Sequence, residues 1–67
     1  MIKLTTLKGS SFYLNPELIE QVEEHHDTII TLTNGKKLRV GESAEEVADK
    51  VMAYRKAIHS ANGGMTE

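Results

Sequence analysis

Hydrophobic and polar residues sort most sharply between Thr28 and Val40, a stretch that reads as a β-hairpin around Asn34-Gly35. Two turns compete there. A two-residue loop of Asn34 and Gly35 sets Thr33 opposite Lys36 and scatters apolar residues over both faces. A three-residue loop, Thr33-Asn34-Gly35, with Gly35 left-handed in a bulge, sets Leu32 opposite Lys36 and Ile30 opposite Leu38. Ile30, Leu32, Leu38 and Val40 then share one face, with Ile29, Thr31, Lys37 and Arg39 on the other. The bulged register is preferred because a half-buried sheet needs that sorting, although it leaves Ile29 on the polar side.

The same logic applies to residues 2–14. Leu7-Lys8-Gly9 separates Ile2 to Thr6 from Ser10 to Leu14, and a left-handed Gly9 pairs Leu4 with Phe12 and Ile2 with Leu14. Lys3, Thr5, Ser11 and Tyr13 fall on the opposite face.

Between the hairpins, Asn15-Pro16-Glu17 carries a helix-start signal: asparagine caps well and proline suits the first helical position. Leu18, Ile19 and Val22 would share one side of such a helix. The His25-His26-Asp27 break and the strand beginning at Thr28 favour instead a single turn followed by a strand over about residues 19–25.

From Ser43 the period becomes helical. Ser43 and Glu46 form a capping box, and Val47, Val51, Tyr54 and Ile58 mark one apolar stripe. Glu46 and Lys50 stand at the i,i+4 spacing of an ion pair. Asn62-Gly63-Gly64 should end the helix, placing it at about 43–59 and leaving 60–67 as a flexible tail. The expected fold is α+β: a small antiparallel sheet of about five short strands, two hairpins plus one strand, covered on one face by a single C-terminal helix. Residues 1–59 form the one domain. The expected core is Ile2, Leu4, Phe12, Leu14, Val22, Ile30, Leu32, Leu38, Val40, Val47, Val51, Tyr54 and Ile58.

The chain has 67 residues, and a domain of that size buries only about 60% of the surface its unfolded chain exposes. With no cysteine, disulfides and the usual cysteine-based zinc sites are excluded, so association into a homo-oligomer is the remaining common route to extra stability. Neither a signal-peptide pattern nor an apolar run long enough to span a membrane is present, which points to the cytoplasm.

A formal charge of -2 argues against a general nucleic-acid binder. Five of the eight basic residues, Lys3, Lys8, Lys36, Lys37 and Arg39, nevertheless lie in the hairpins, while acid collects at Glu17 to Asp27 and Glu42 to Asp49. Such segregation is ordinary surface solvation or an interaction face. Ile29, Leu7 and Met52 are the apolar residues without a core place, and Tyr13 also lies on the uncovered face. The candidate partner-binding residues are therefore Tyr13 and Ile29 as anchors, with Lys3, Lys37 and Arg39 for orientation and steering.

His25-His26 with Asp27 has the ligand types of a zinc or nickel site. Neighbouring strand residues point to opposite faces, so the rings converge only at a turn, and His59 would have to be brought in by packing. Solvated turn histidines are the simpler reading, and no metal or other cofactor is expected. Neither Ser10-Ser11 nor Ser43 sits in a nucleophile motif, and the glycines do not form a phosphate loop. No enzyme is expected, because one helix on one sheet offers little enclosure for a pocket.

Met1-Ile-Lys-Leu-Thr, Leu14-Asn-Pro-Glu-Leu-Ile-Glu20, Asp27-Thr-Ile-Ile-Thr-Leu-Thr-Asn-Gly-Lys-Lys37 and Glu42-Ser with its helix follow one another in the order and spacing of a known family. Over roughly residues 1–58 the chain resembles the small FlbD-type flagellar proteins, also called SwrD or swarming motility proteins. The Asp27 to Lys37 string is the specific part. The resemblance implies a cytoplasmic, non-enzymatic flagellar accessory protein, peripheral at the motor, that supports swarming by helping the motor deliver torque. A flagellar motor or stator-associated protein would be its partner. His25-His26 departs from the family pattern, in which a threonine-proline-like turn is common. The Thr-x-Thr-Asn-Gly-Lys-Lys hairpin is also faintly similar to LytTR DNA-binding domains, which implies, as the alternative, a small β-rich nucleic-acid-binding or regulatory module.

Overall fold

The computed structural model describes residues 1–66, with side chains described as far as Ile58. The helix runs to Thr66 rather than ending near residue 59, so Asn62-Gly63-Gly64 does not stop it and residues 60–66, expected as a flexible tail, continue the helix. The His59 side chain and Glu67 lie outside the described residues. Five strands precede one helix: β1 (Ile2–Thr5), β2 (Ser11–Leu14), β3 (Ile19–Glu24), β4 (Thr28–Leu32), β5 (Lys37–Val40) and α1 (Ala44–Thr66). The fold is α+β, as the residue pattern implies.

Both hairpins adopt the bulged turn. Gly9 and Gly35 have φ of 98° and 89°, the conformation that costs an L side chain most. In the first hairpin the Thr6 N–H donates to the Ser10 carbonyl at 2.7 Å and the Gly9 N–H to the Thr6 carbonyl at 3.0 Å. Leu32, Gly35 and Lys36 repeat the arrangement in the second at 2.8 and 2.9 Å. The register follows: Ile2 opposes Leu14, Leu4 opposes Phe12, and Ile30 opposes Leu38.

Residues 15–18 form a single 3-10 turn over Pro16–Leu18, capped by the Asn15 side chain, whose oxygen accepts from the Glu17 N–H at 3.0 Å. A strand follows, so Val22 lies opposite Ile30 on β4 rather than on a helix. Pairing shifts between Ile19 and Gln21, which marks a bulge at Glu20. Ile19 and Val22 are three apart and would point to opposite faces of a regular strand. The extra residue lets both pack against the core.

The strands divide into a two-stranded sheet, β1-β2, and a three-stranded sheet, β3-β4-β5. One bridge between Thr6 and Val40 joins them. Beyond it the Gly41 N–H donates to the Thr5 carbonyl at 2.7 Å. The chain then leaves for the helix, and the Glu42 side chain supplies the next rung by accepting from the Thr5 N–H at 3.0 Å. A carboxylate thus stands where another strand would have offered a carbonyl.

The helix starts as its capping box requires: the Ser43 hydroxyl accepts from the Glu46 N–H at 3.1 Å, and the Glu46 carboxylate accepts from the Ser43 N–H at 2.8 Å. That return turns Glu46 away from the i,i+4 partner expected at Lys50. Glu24, at the end of β3, accepts from the Ala44 N–H at 3.0 Å and ties the helix start to the larger sheet. Val47 then packs into a core of Ile2, Leu4, Leu14, Ile30, Leu32 and Val40. Phe12, Val22, Leu38, Val51 and Tyr54 pack around it half-buried, joined by Ile19.

Ile58 is a correction to the expected core, since it is 42% exposed. It lies eleven residues beyond Val47, about 16 Å along the helix axis. The whole helix of 23 residues is about 34 Å long, whereas strands of four to six residues span only about 13–20 Å, so its C-terminal part extends past the sheet beneath it.

Candidate binding face

The outer face of the three-stranded sheet is built from residues that alternate with the core. Because Val22, Ile30 and Leu38 face inward, their neighbours Glu23, Ile29 and Arg39 form one row across β3, β4 and β5 on the outside. Gln21, Thr31 and Lys37 form the next. Charge grades across the first row from a carboxylate through an isoleucine to a guanidinium. Lys37 and Arg39 are exposed, and Ile29 is half-buried.

The other two candidate residues lie on the smaller sheet, where Lys3 opposes Tyr13 on the outer face of β1 and β2. Tyr13 is 65% exposed. The backbone therefore brings Ile29 together with Arg39, and Lys3 together with Tyr13. No strand pairing links the two groups: among the described residues the one β-bridge between the sheets is Thr6 with Val40, and the neighbouring hydrogen bonds of Thr5 to Gly41 and Glu42 lie at the same junction.

The turn from β3 to β4 adds residues to the Ile29–Arg39 group that strand periodicity did not associate with it. The His25 N–H donates to the Asp27 carbonyl at 3.1 Å, closing a tight turn. The Asp27 carboxylate lies 3.5 Å from the Arg39 guanidinium across the sheet. Together His25, His26, Asp27, Ile29 and Arg39 line an open recess of about 170 Å³. The available clue was sequence distance: a short β3–β4 connection must return its tip beside the partner of the first β4 residues.

His25 and His26 do not converge with a third ligand. The His25 ring lies 3.9 Å from a Glu23 carboxylate oxygen, and among the described residues no three histidine, cysteine, aspartate or glutamate side chains assemble as a metal-holding group. Glu42 has a shifted acidity. Burial raises its pKa, but the Thr5 N–H and hydroxyl, its own backbone N–H and the charge of Lys50 together more than offset that, holding the carboxyl below its ordinary 4.5. Its role is in the sheet junction rather than on the outer face.

No helix among the described residues is long and apolar enough to cross a membrane. A family model described as FlbD, flagellar and swarming motility proteins, matches residues 1–59. No curated protein and no solved structure matches the chain.

Proposed function

The chain belongs to the FlbD family of flagellar and swarming motility proteins, and from that premise we propose that it is a non-enzymatic accessory that binds the flagellar motor or a stator-associated protein and so promotes torque. Binding alone suffices for this. A ligand shifts an equilibrium through its differential affinity for the two states, and a protein that prefers the engaged motor raises output without catalysing anything. Its place of action would be the cytoplasm, peripheral at the motor.

One observation carries the reading: in a chain of formal charge -2, the outer sheet face presents Lys37 and Arg39 beside the half-buried Ile29. Lys3 and Tyr13 extend the same chemistry onto the second sheet. Exposed cations steer an encounter and fix its orientation, while apolar and aromatic anchors supply most of the affinity. Reversing Lys37 and Arg39 together to glutamate should leave the circular dichroism spectrum and melting temperature unchanged and reduce swarming. Undiminished swarming by a folded double variant would remove this face as the motor contact.

A further inference from the structure

The recess beside Ile29 has the dimensions and charges of a side-chain socket. Its volume is about 170 Å³, and an apolar cavity of about 150 Å³ is enough to hold a benzene ring. Ile29 supplies an apolar wall, and the His25 and His26 rings stand at the β3–β4 turn. The hydrogen bond from His25 N–H to the Asp27 carbonyl fixes that turn. One side chain would fill the space.

Charge decides what should flank it. Among the described residues Arg39 touches Asp27 through a single 3.5 Å contact and is 64% exposed, which leaves most of its five N–H donors without a partner there. Lys37 is on the same face two residues along β5, about 7 Å away. Toward β3 the row ends instead in Glu23. An occupying segment is therefore favoured with its acidic groups over β5 and disfavoured with basic ones there.

We infer that the recess binds an acidic peptide segment of a partner protein, taking one aromatic side chain against Ile29 while a neighbouring carboxylate pairs with Arg39 and Lys37. This deepens the proposed motor-binding role and rests on it only for where the partner resides. The isotopically labelled full chain is titrated with acetyl-Asp-Phe-Asp-amide, acetyl-Lys-Phe-Lys-amide and acetyl-Asp-Ala-Asp-amide, following backbone amide resonances. The acidic phenylalanine peptide should shift residues 25–29 and Arg39 most. Arg39→Gln should weaken its binding about five- to tenfold, with Arg39→Lys intermediate.

Equal responses to the acidic and basic peptides, or to the phenylalanine and alanine peptides, would overturn the inference. So would shifts confined to other elements, or none at about 10 mM peptide. Shifts of the same residues with protein concentration alone would identify a second copy as the occupant, which also overturns it. Swarming separates the two readings: peptide binding with unimpaired motility of the Lys37, Arg39 double reversal defeats the motor role only, whereas impaired motility without peptide binding defeats the socket only.

Discussion

Glu42 tests how the two sheets are held together. Replacing it with alanine removes the acceptor of the Thr5 N–H, a 3.0 Å hydrogen bond that spans the sheet junction. An unsatisfied buried donor costs about 1–3 kcal/mol, but Thr5 and Glu42 are only half-buried and water can partly replace the carboxylate. The expected loss is about 1–2 kcal/mol, against a total stability of roughly 3–10 kcal/mol for a chain this short. Glu42→Gln keeps an acceptor of the same reach but loses the charge, and should cost about half as much.

Urea unfolding reads the difference directly, since about 1 kcal/mol moves the midpoint by about 1 M in a domain of this size. The pH dependence gives a second measurement. Because the folded-state pKa of Glu42 is depressed, its charge contributes stability that is fully present above the unfolded value and is lost as pH falls through the folded one. The gap between wild type and Glu42→Gln should therefore be widest near neutral pH and close below 4.5. Identical midpoints for wild type and Glu42→Ala at pH 7 would refute a stabilising hydrogen bond from Thr5 to Glu42, and a gap to Glu42→Gln that ignores pH would refute the role of charge.

Gly35→Ala isolates backbone strain, because nothing lies within 4 Å of the added Cβ while φ stays at 89°. It should cost about 1–2 kcal/mol, lowering the melting temperature by about 4–8 °C per kcal/mol, and an unchanged melt would argue against the left-handed bulge. Ile30→Val should cost about 0.5–1.5 kcal/mol, whereas Ile58→Ala, at a position 42% exposed, should stay within about 0.5 kcal/mol. A larger loss at Ile58 than at Ile30 in denaturant titration would restore Ile58 to the core.

The strand registers were legible because a one-residue slip moves every side chain to the other face, and Ile30, Leu32, Leu38 and Val40 have only one alignment that gathers them. The capping box was legible for a similarly local reason. Contacts set by long-range geometry left no such trace. Nothing in the pattern marks Glu42 as the acceptor for Thr5, thirty-seven positions away, or Glu24 as a cap for Ala44. Ile19 lies outside the expected core and is brought to it by the bulge at Glu20, without which a spacing of three would set it on the face opposite Val22. A face assignment likewise does not show that the strands split into two sheets or that the His25-His26-Asp27 turn lines a recess with Arg39.

Charge placement, rather than net charge, is what the fold controls. Glu24 and Glu46 accept from the backbone N–H groups of Ala44 and Ser43 at the helix start, and Glu42 accepts from that of Thr5 at the end of β1, so part of the acid in this chain is committed to the junctions between sheets and helix. Among the described residues the cations of β5 have no such duty beyond the single contact between Arg39 and Asp27. A control for the outer face follows. Reversing Arg55 and Lys56, both exposed on the helix, changes the formal charge by the same amount as reversing Lys37 and Arg39. If a partner reads the sheet face, the helix pair should leave swarming near wild type while the sheet pair impairs it, with both proteins folded. Equal impairment by the two pairs would mean that overall charge is what matters, and the face would lose its claim to specificity.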